Sequence, residues 1–186
     1  MPQQKTITTY SYDELSPNVK LMLVNQYAED LGDNWHDPCL EGIEEEAADM
    51  GIEDFDLRYT GFWSQGDGLS FTGTLDEDLV VKILTEAVGK DFAEAYGRKI
   101  EVTVHRNTTM YVHHNTVECD FYYSDDDLEV SREDYERITE YFNDWKNNLC
   151  HQWYKQLEEY YDEVTSADHV AEAYSDLDFL EDGRVL

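Results

Sequence analysis

Positive charge is scarce: 13 Lys and Arg stand against 43 Asp and Glu in 186 residues, a formal net charge of −30. A chain so short of cations has no basic stripe to lay along phosphates, so direct nucleic-acid binding is not expected. Cysteine is nearly absent too. Cys39, Cys119 and Cys150 lie far apart, form no C-x-x-C pair and leave one over in any disulfide scheme, which points to reduced thiols in a cytosol. Nowhere do eighteen apolar residues run together, and Met1 to Tyr10 lacks the apolar stretch of a signal peptide. Neither membrane spanning nor secretion is therefore expected. There is no internal repeat and no Ser/Pro-rich linker, so residues 1–186 read as one domain.

What is present suffices for a core. Hydrophobic residues make up 41% of the chain, with fourteen Tyr, seven Phe and four Trp, far more than a disordered acidic chain carries. Self-repulsion at −30 opposes compaction, so so much charge calls for a reason, such as a cationic partner or halophilic adaptation.

The local signals predict an α+β fold: an antiparallel sheet of about four or five strands packed with helices, and a long amphipathic acidic C-terminal helix. Thr6 to Tyr12 alternates β-branched and aromatic types, as a short strand or an extended entry would. Ser16-Pro17 and Asp37-Pro38 open two helices within 16–51, stopped at Gly32 and Gly51. Phe55, Leu57 and Tyr59 alternate with polar residues, and Ser64-Gln65-Gly66-Asp67-Gly68 turns the chain into Leu69, Phe71 and Gly73, a hairpin over 55–74. Asp76 caps a helix over 76–96 with a break at Gly89. Strands fill 99–123: Ile100, Val102 and Val104 form one, and Met110 to Tyr123 one or two more. Ser131 then opens an acidic helical region, 131–174, in which Tyr135, Ile138, Phe142, Trp145, Leu149, Trp153 and Leu157 form an apolar stripe.

The acids cluster. Glu41, Glu44, Glu45, Glu46 and Asp49 share one helix with no Lys or Arg between them. Asp125, Asp126, Asp127 and Glu129 form a loop, and Glu133, Glu136, Glu140 and Asp144 lie opposite the stripe. From Ser124 to Asp182, 19 acids face four bases, half the net charge in under a third of the chain. At 1.5 Å rise, carboxylates three or four residues apart stand roughly 5–6 Å from one another, near the spacing of successive phosphates. Averaged over about 9,000 Å² of surface, however, the charge comes to roughly one per 300 Å², against roughly one per 100 Å² on duplex DNA. Only a face on which the clusters converge resembles nucleic acid.

Signals for chemistry are sparse. Gly66-Asp67-Gly68 joins two strands and lacks the Lys-Ser/Thr and helix of a phosphate loop. Ser64 misses the G-x-S-x-G elbow by one position. His105, His113, His114 and Cys119 have no metal-site spacing, and Asp125-Asp126-Asp127 lacks the pattern of a calcium loop. No catalytic residue, metal or cofactor is expected. Tyr141, Tyr154 and Tyr161, off the apolar stripe, are interface candidates.

Two segments, Tyr12-Asp13-Glu14-Leu15-Ser16 with Lys20 and Gly61-Phe62-Trp63-Ser64-Gln65-Gly66-Asp67-Gly68-Leu69-Ser70-Phe71, resemble a family of small acidic proteins encoded by bacteriophages and prophages. The resemblance covers roughly the first half, and more loosely Ile100 to Phe121. It carries no catalytic residue over. It implies a counter-defence role of the anti-CRISPR or anti-restriction kind in the host cytoplasm. The basic nucleic-acid-binding surface of a host nuclease, foremost a CRISPR nuclease, would then be occupied by a DNA-mimicking face. The expected binding residues are Glu41, Glu44, Glu45, Asp49, Asp125, Asp126, Asp127, Glu129, Glu133, Glu136, Glu140 and Asp144. The alternatives are a small hydrolase or nucleotide-binding enzyme with His113, His114 and Glu118 near its site, and a structural protein whose charge only keeps it dissolved.

Overall fold

The computed structural model describes residues 7–62, 64–107, 111–123 and 130–186. It has an α+β fold: helices α1 (Pro17–Asp30) and α2 (Asp37–Met50), strands β1 (Ile52–Tyr59) and β2 (Leu69–Leu75), helices α3 (Glu77–Ala87) and α4 (Lys90–Tyr96), strands β3 (Ile100–Arg106) and β4 (Val117–Tyr123), the long helix α5 (Arg132–Val164) and the short α6 (Ala167–Ala173). No helix among the described residues is long and apolar enough to cross a membrane.

The residues group into two compact units, Pro38–Leu157, and Glu158–Leu186 with the segment up to Asp37. The boundaries fall at the first turn of α2 and inside α5. No linker marks them, so composition gives no sign of the division.

In the larger unit the four strands form an antiparallel meander in the order β1-β2-β3-β4. Leu69, Phe71, Gly73 and Leu75 of β2, Ile100, Val102 and Val104 of β3, and Val117 and Cys119 of β4 are buried. Alternate positions, Thr72, Thr74, Glu101 and Thr103, stay partly or fully in solvent, the period-two pattern of a sheet covered on one face. An extra residue in β1 between Glu53 and Asp56 shifts the register against β2. Asp54 takes φ 50° there, and Phe55 reaches the rings of Phe71 and Trp153 at 5.7 and 5.5 Å.

The apolar stripe of α5 covers the buried sheet face. Trp153, fully buried, stands edge-on to Phe71 at 5.2 Å, and Phe142 packs at 5.4 Å from Phe121. Helix α2 lies alongside, held by a hydrogen bond from Trp153 Nε1 to Glu46 (3.1 Å). Gly51 ends α2 at φ +92°, and its carbonyl accepts from Asp76 N at 2.8 Å. Asp76 in turn caps α3 through Leu79 N at 2.7 Å. The break at Gly89 takes φ +100° and starts α4.

In the smaller unit Tyr12, Leu15 and Leu23 pack with Val170 and Phe179. Tyr10 and Phe179 exchange two backbone hydrogen bonds of 2.9 Å. The Tyr12–Ser16 segment is structural here. Glu14 closes a capping box on Ser11, Ser16 caps α1, and Lys20 Nζ sits 3.0 Å from the Asp13 carbonyl, over the Tyr12 ring.

One expectation differs in detail. Among the described residues from Tyr111 to Tyr123 only Val117–Tyr123 is strand, since His114–Thr116 is a turn of 3-10 helix; Met110 lies outside the described residues.

Candidate functional site

The first feature of the larger unit is its acidic helical layer. On α2, Glu41, Glu44, Glu45 and Asp49 are exposed, and none has an ion-pair partner among the described residues. On α5, Glu133, Glu140 and Asp144 are exposed and likewise unpaired. Glu136 differs, because Arg132 Nε bonds it at 2.8 Å. Asp125, Asp126, Asp127 and Glu129 lie outside the described residues.

Helix α2 runs antiparallel to α5, with Glu46 at Trp153 and Met50 in a common groove with Leu149 and Trp145. The C-terminal end of α2 thus meets the groove that Asp144 of α5 lines. The groove has a volume of about 430 Å³, and Glu86, Tyr141, Asp144, Asn148 and Gln152 complete its lining. Tyr141 Oη donates to Glu86 at 3.1 Å, which fixes that carboxylate and holds the phenol pKa above its ordinary value. Arg137 Nη2 donates to the carbonyl of Ala87, the last residue of α3, at 2.8 Å.

The second feature is a histidine pocket of about 250 Å³, lined by Asp67, Gly68, Leu69, His113, His114, Cys150, His151 and Tyr154. Gly68 makes it possible. A Cβ on Gly68 would stand 2.5 Å from the backbone oxygen of Val112, so only glycine lets the hairpin loop close against the segment that carries His113 and His114. The loop holds its shape through Asp67 Oδ2, which accepts from Ser64 N at 2.9 Å.

The imidazoles pack as a tilted row, with interplanar angles of 34° and 46°. His113 and His114 have ring centroids 3.9 Å apart, His114 and His151 4.3 Å. His113 Nδ1 accepts from Asn115 N at 3.2 Å, and His151 Nδ1, 2.7 Å from the Asn147 carbonyl, donates to it. These bonds leave each Nε2 turned to other uses. Beside these rings Lys146, 3% exposed, donates to the carbonyls of His114 and Val117 at 3.1 and 2.5 Å. Burial lowers its pKa. Burial, reinforced by His113, His151 and Lys146, also pushes His114 down to about 4, so its ring is neutral at pH 7. Desolvation pushes Cys150 and Cys119 up to about 12, and all three cysteines are free and buried. A thiolate nucleophile is therefore not on offer at this pocket. Among the described residues no group of three His, Cys, Asp or Glu side chains is placed to hold a metal ion.

A family model described as a domain of unknown function, DUF8835, matches residues 35–167. The chain belongs to this family. No curated protein matches the chain, and no solved structure does. The DUF8835 match takes in the whole of the acidic helical layer, the groove and the histidine pocket, whereas the Tyr12–Lys20 segment falls outside it.

Of the residues singled out for chemistry, His113 and His114 come together, but Glu118 does not join them: its Oε1 accepts from Asn107 Nδ2 at 2.8 Å. His105 pairs with Asp120 at 3.2 Å on the sheet. Sequence reading missed His151 and Glu86. No local spacing marks either one, since each is brought to its place by α5 crossing other elements.

Proposed function

We propose that this protein is a non-catalytic binding protein whose α2 and α5 carboxylates engage the basic, nucleic-acid-binding surface of another protein. One observation carries the reading: α2 has five carboxylates between Glu41 and Asp49 and no Lys or Arg, and the exposed ones have no ion-pair partner among the described residues. Charge left uncompensated in this way destabilises the free protein and favours any partner that supplies the missing cations. Complementary potentials also speed encounter and make it salt-sensitive. The resemblance to small acidic phage proteins supports a narrower role. The protein would act in the host cytoplasm as an anti-CRISPR-like inhibitor, mimicking DNA in the nucleic-acid channel of a host nuclease.

The test is inhibition of DNA cleavage by a panel of purified CRISPR and restriction nucleases. Wild-type protein is expected to inhibit at least one member, with an inhibition constant that weakens steeply with salt. A variant with Glu41, Glu44, Glu45 and Asp49 changed to Gln and Asn should keep its circular dichroism spectrum and lose inhibition. Undiminished inhibition by that variant would overturn the mechanism, and inhibition of no member would overturn the nuclease role.

The histidine pocket favours a second reading, a small hydrolase or nucleotide-binding enzyme. Three imidazoles and Tyr154 around about 250 Å³ supply proton acceptors and ring faces for a small planar ligand. Thermal-shift screening against nucleotides together with metal analysis separates the two readings, since a binding-only inhibitor responds to neither.

A further inference from the structure

The groove between α2, α3 and α5 has a chemical character distinct from the acidic surface around it. We propose that it is an anchor slot for an arginine side chain of the partner. The proposal rests on the acidic-surface reading above and names the group that this surface selects.

Four observations converge on a guanidinium. Glu86 is held in place by Tyr141 Oη at 3.1 Å, and a carboxylate so fixed still has lone pairs to offer. Asp144 has no hydrogen-bond or ion-pair partner among the described residues, and neither do the side-chain amides of Asn148 and Gln152. Their carbonyl oxygens extend the row of acceptors along α5 by one turn and then another. The half-buried Trp145 indole lines the same groove, offering a ring to a flat cation. Finally, the molecule already binds a guanidinium of its own next to a residue of the groove: Arg137 Nη2 donates to the carbonyl of Ala87, the residue after Glu86, at 2.8 Å, at the C-terminal end of α3, where the helix dipole favours cations.

Arginine suits this set better than lysine. Its planar fork of five donors can meet two carboxylates and an amide oxygen while its face lies on the indole, whereas an ammonium is a compact, strongly hydrated point charge. An anion would meet two uncompensated carboxylates, and an apolar side chain would leave Asp144 and both amides without partners.

Isothermal titration of the full chain with oligoarginine and oligolysine peptides of equal length, at low ionic strength, tests the proposal. Wild-type protein is expected to prefer oligoarginine by roughly tenfold, the size of one stacked and forked guanidinium contact. Asp144→Asn and Glu86→Gln should each remove most of that preference and leave oligolysine binding nearly unchanged. Glu41→Gln with Glu44→Gln and Glu45→Gln, away from the groove, should weaken both peptides by the same factor. Absence of an arginine preference in the wild type, or its survival in both groove variants, overturns the anchor slot while leaving the acidic-surface reading in place. Failure of both peptides to bind, or α2 variants that bind as tightly as wild type, overturns the acidic-surface reading itself.

Discussion

At the scale of single residues, burial decides what the ionisable groups of the larger unit can do. Cys119 and Cys150 remain thiols because desolvation pushes both up to about 12. Lys146 tolerates burial by donating hydrogen bonds to two carbonyls. His114 has the plainest consequence for stability. Its folded pKa lies near 4, against 6.5 for the free ring. Below pH 6.5 the unfolded chain takes up a proton that the folded chain refuses, so this contribution is complete above 6.5 and is lost as pH falls towards 4. Between pH 7 and 5 most carboxylates stay ionised, and comparison with a variant isolates the imidazole. The urea midpoint of the wild type should therefore fall further over that interval than the midpoint of His114→Asn. Equal falls in the two proteins would show that His114 titrates as an exposed histidine does.

At the scale of elements, the boundaries between helices and strands are where local chemistry acts alone, and there the sequence was most legible. The stop of α2 at Gly51, the cap of α3 at Asp76 and the break at Gly89 all follow from side-chain hydrogen bonds and positive φ, which neighbouring residues set. The same logic explains the misreading of Tyr111 to Thr116. Its β-branched and aromatic residues suggest a strand, but Thr116 Oγ1 bonds the His113 carbonyl at 2.7 Å and accepts from His113 N at 3.3 Å. Side chains that satisfy the backbone locally compete with the ladder. The junction of α2 and α3 can be tested as a unit. Asp76→Ala removes the cap and is expected to cost about 1 kcal/mol. Gly51→Ala meets two obstacles, φ +92° and a Cβ 2.3 Å from Asp76 Oδ2, so it should cost more, about 2 kcal/mol or above. Only the second obstacle disappears when Asp76 is shortened. The double variant, measured by urea unfolding, should thus be less destabilised than the two single changes added together. Strict additivity would mean that the carboxylate and residue 51 do not meet.

At the scale of the whole molecule, composition showed the charge but not its arrangement. Glu86 reaches Tyr141, and His151 reaches His114, only because α5 crosses the sheet beside α2 and α3, and no periodicity within one element encodes such a crossing. The division into two units was equally silent, since one boundary lies within continuous helix. What the total does dictate is a response to salt. With a net charge of −30 and so many carboxylates unpaired, repulsion within the folded chain is long-ranged, and the Debye length shrinks from about 30 Å at 0.01 M salt to about 8 Å at 0.15 M. Sodium chloride added over that interval should raise the midpoint of the first thermal transition by several degrees, about 2–4 °C for each kcal/mol of repulsion relieved in a chain of this size. Neutralising Glu41, Glu44, Glu45 and Asp49 together should raise the midpoint at 0.01 M and flatten the salt response. If those four carboxylates were instead held by cations in the free protein, the same variant would lose stability at low salt, and the sign of that one shift distinguishes a surface kept open for a partner from one already neutralised.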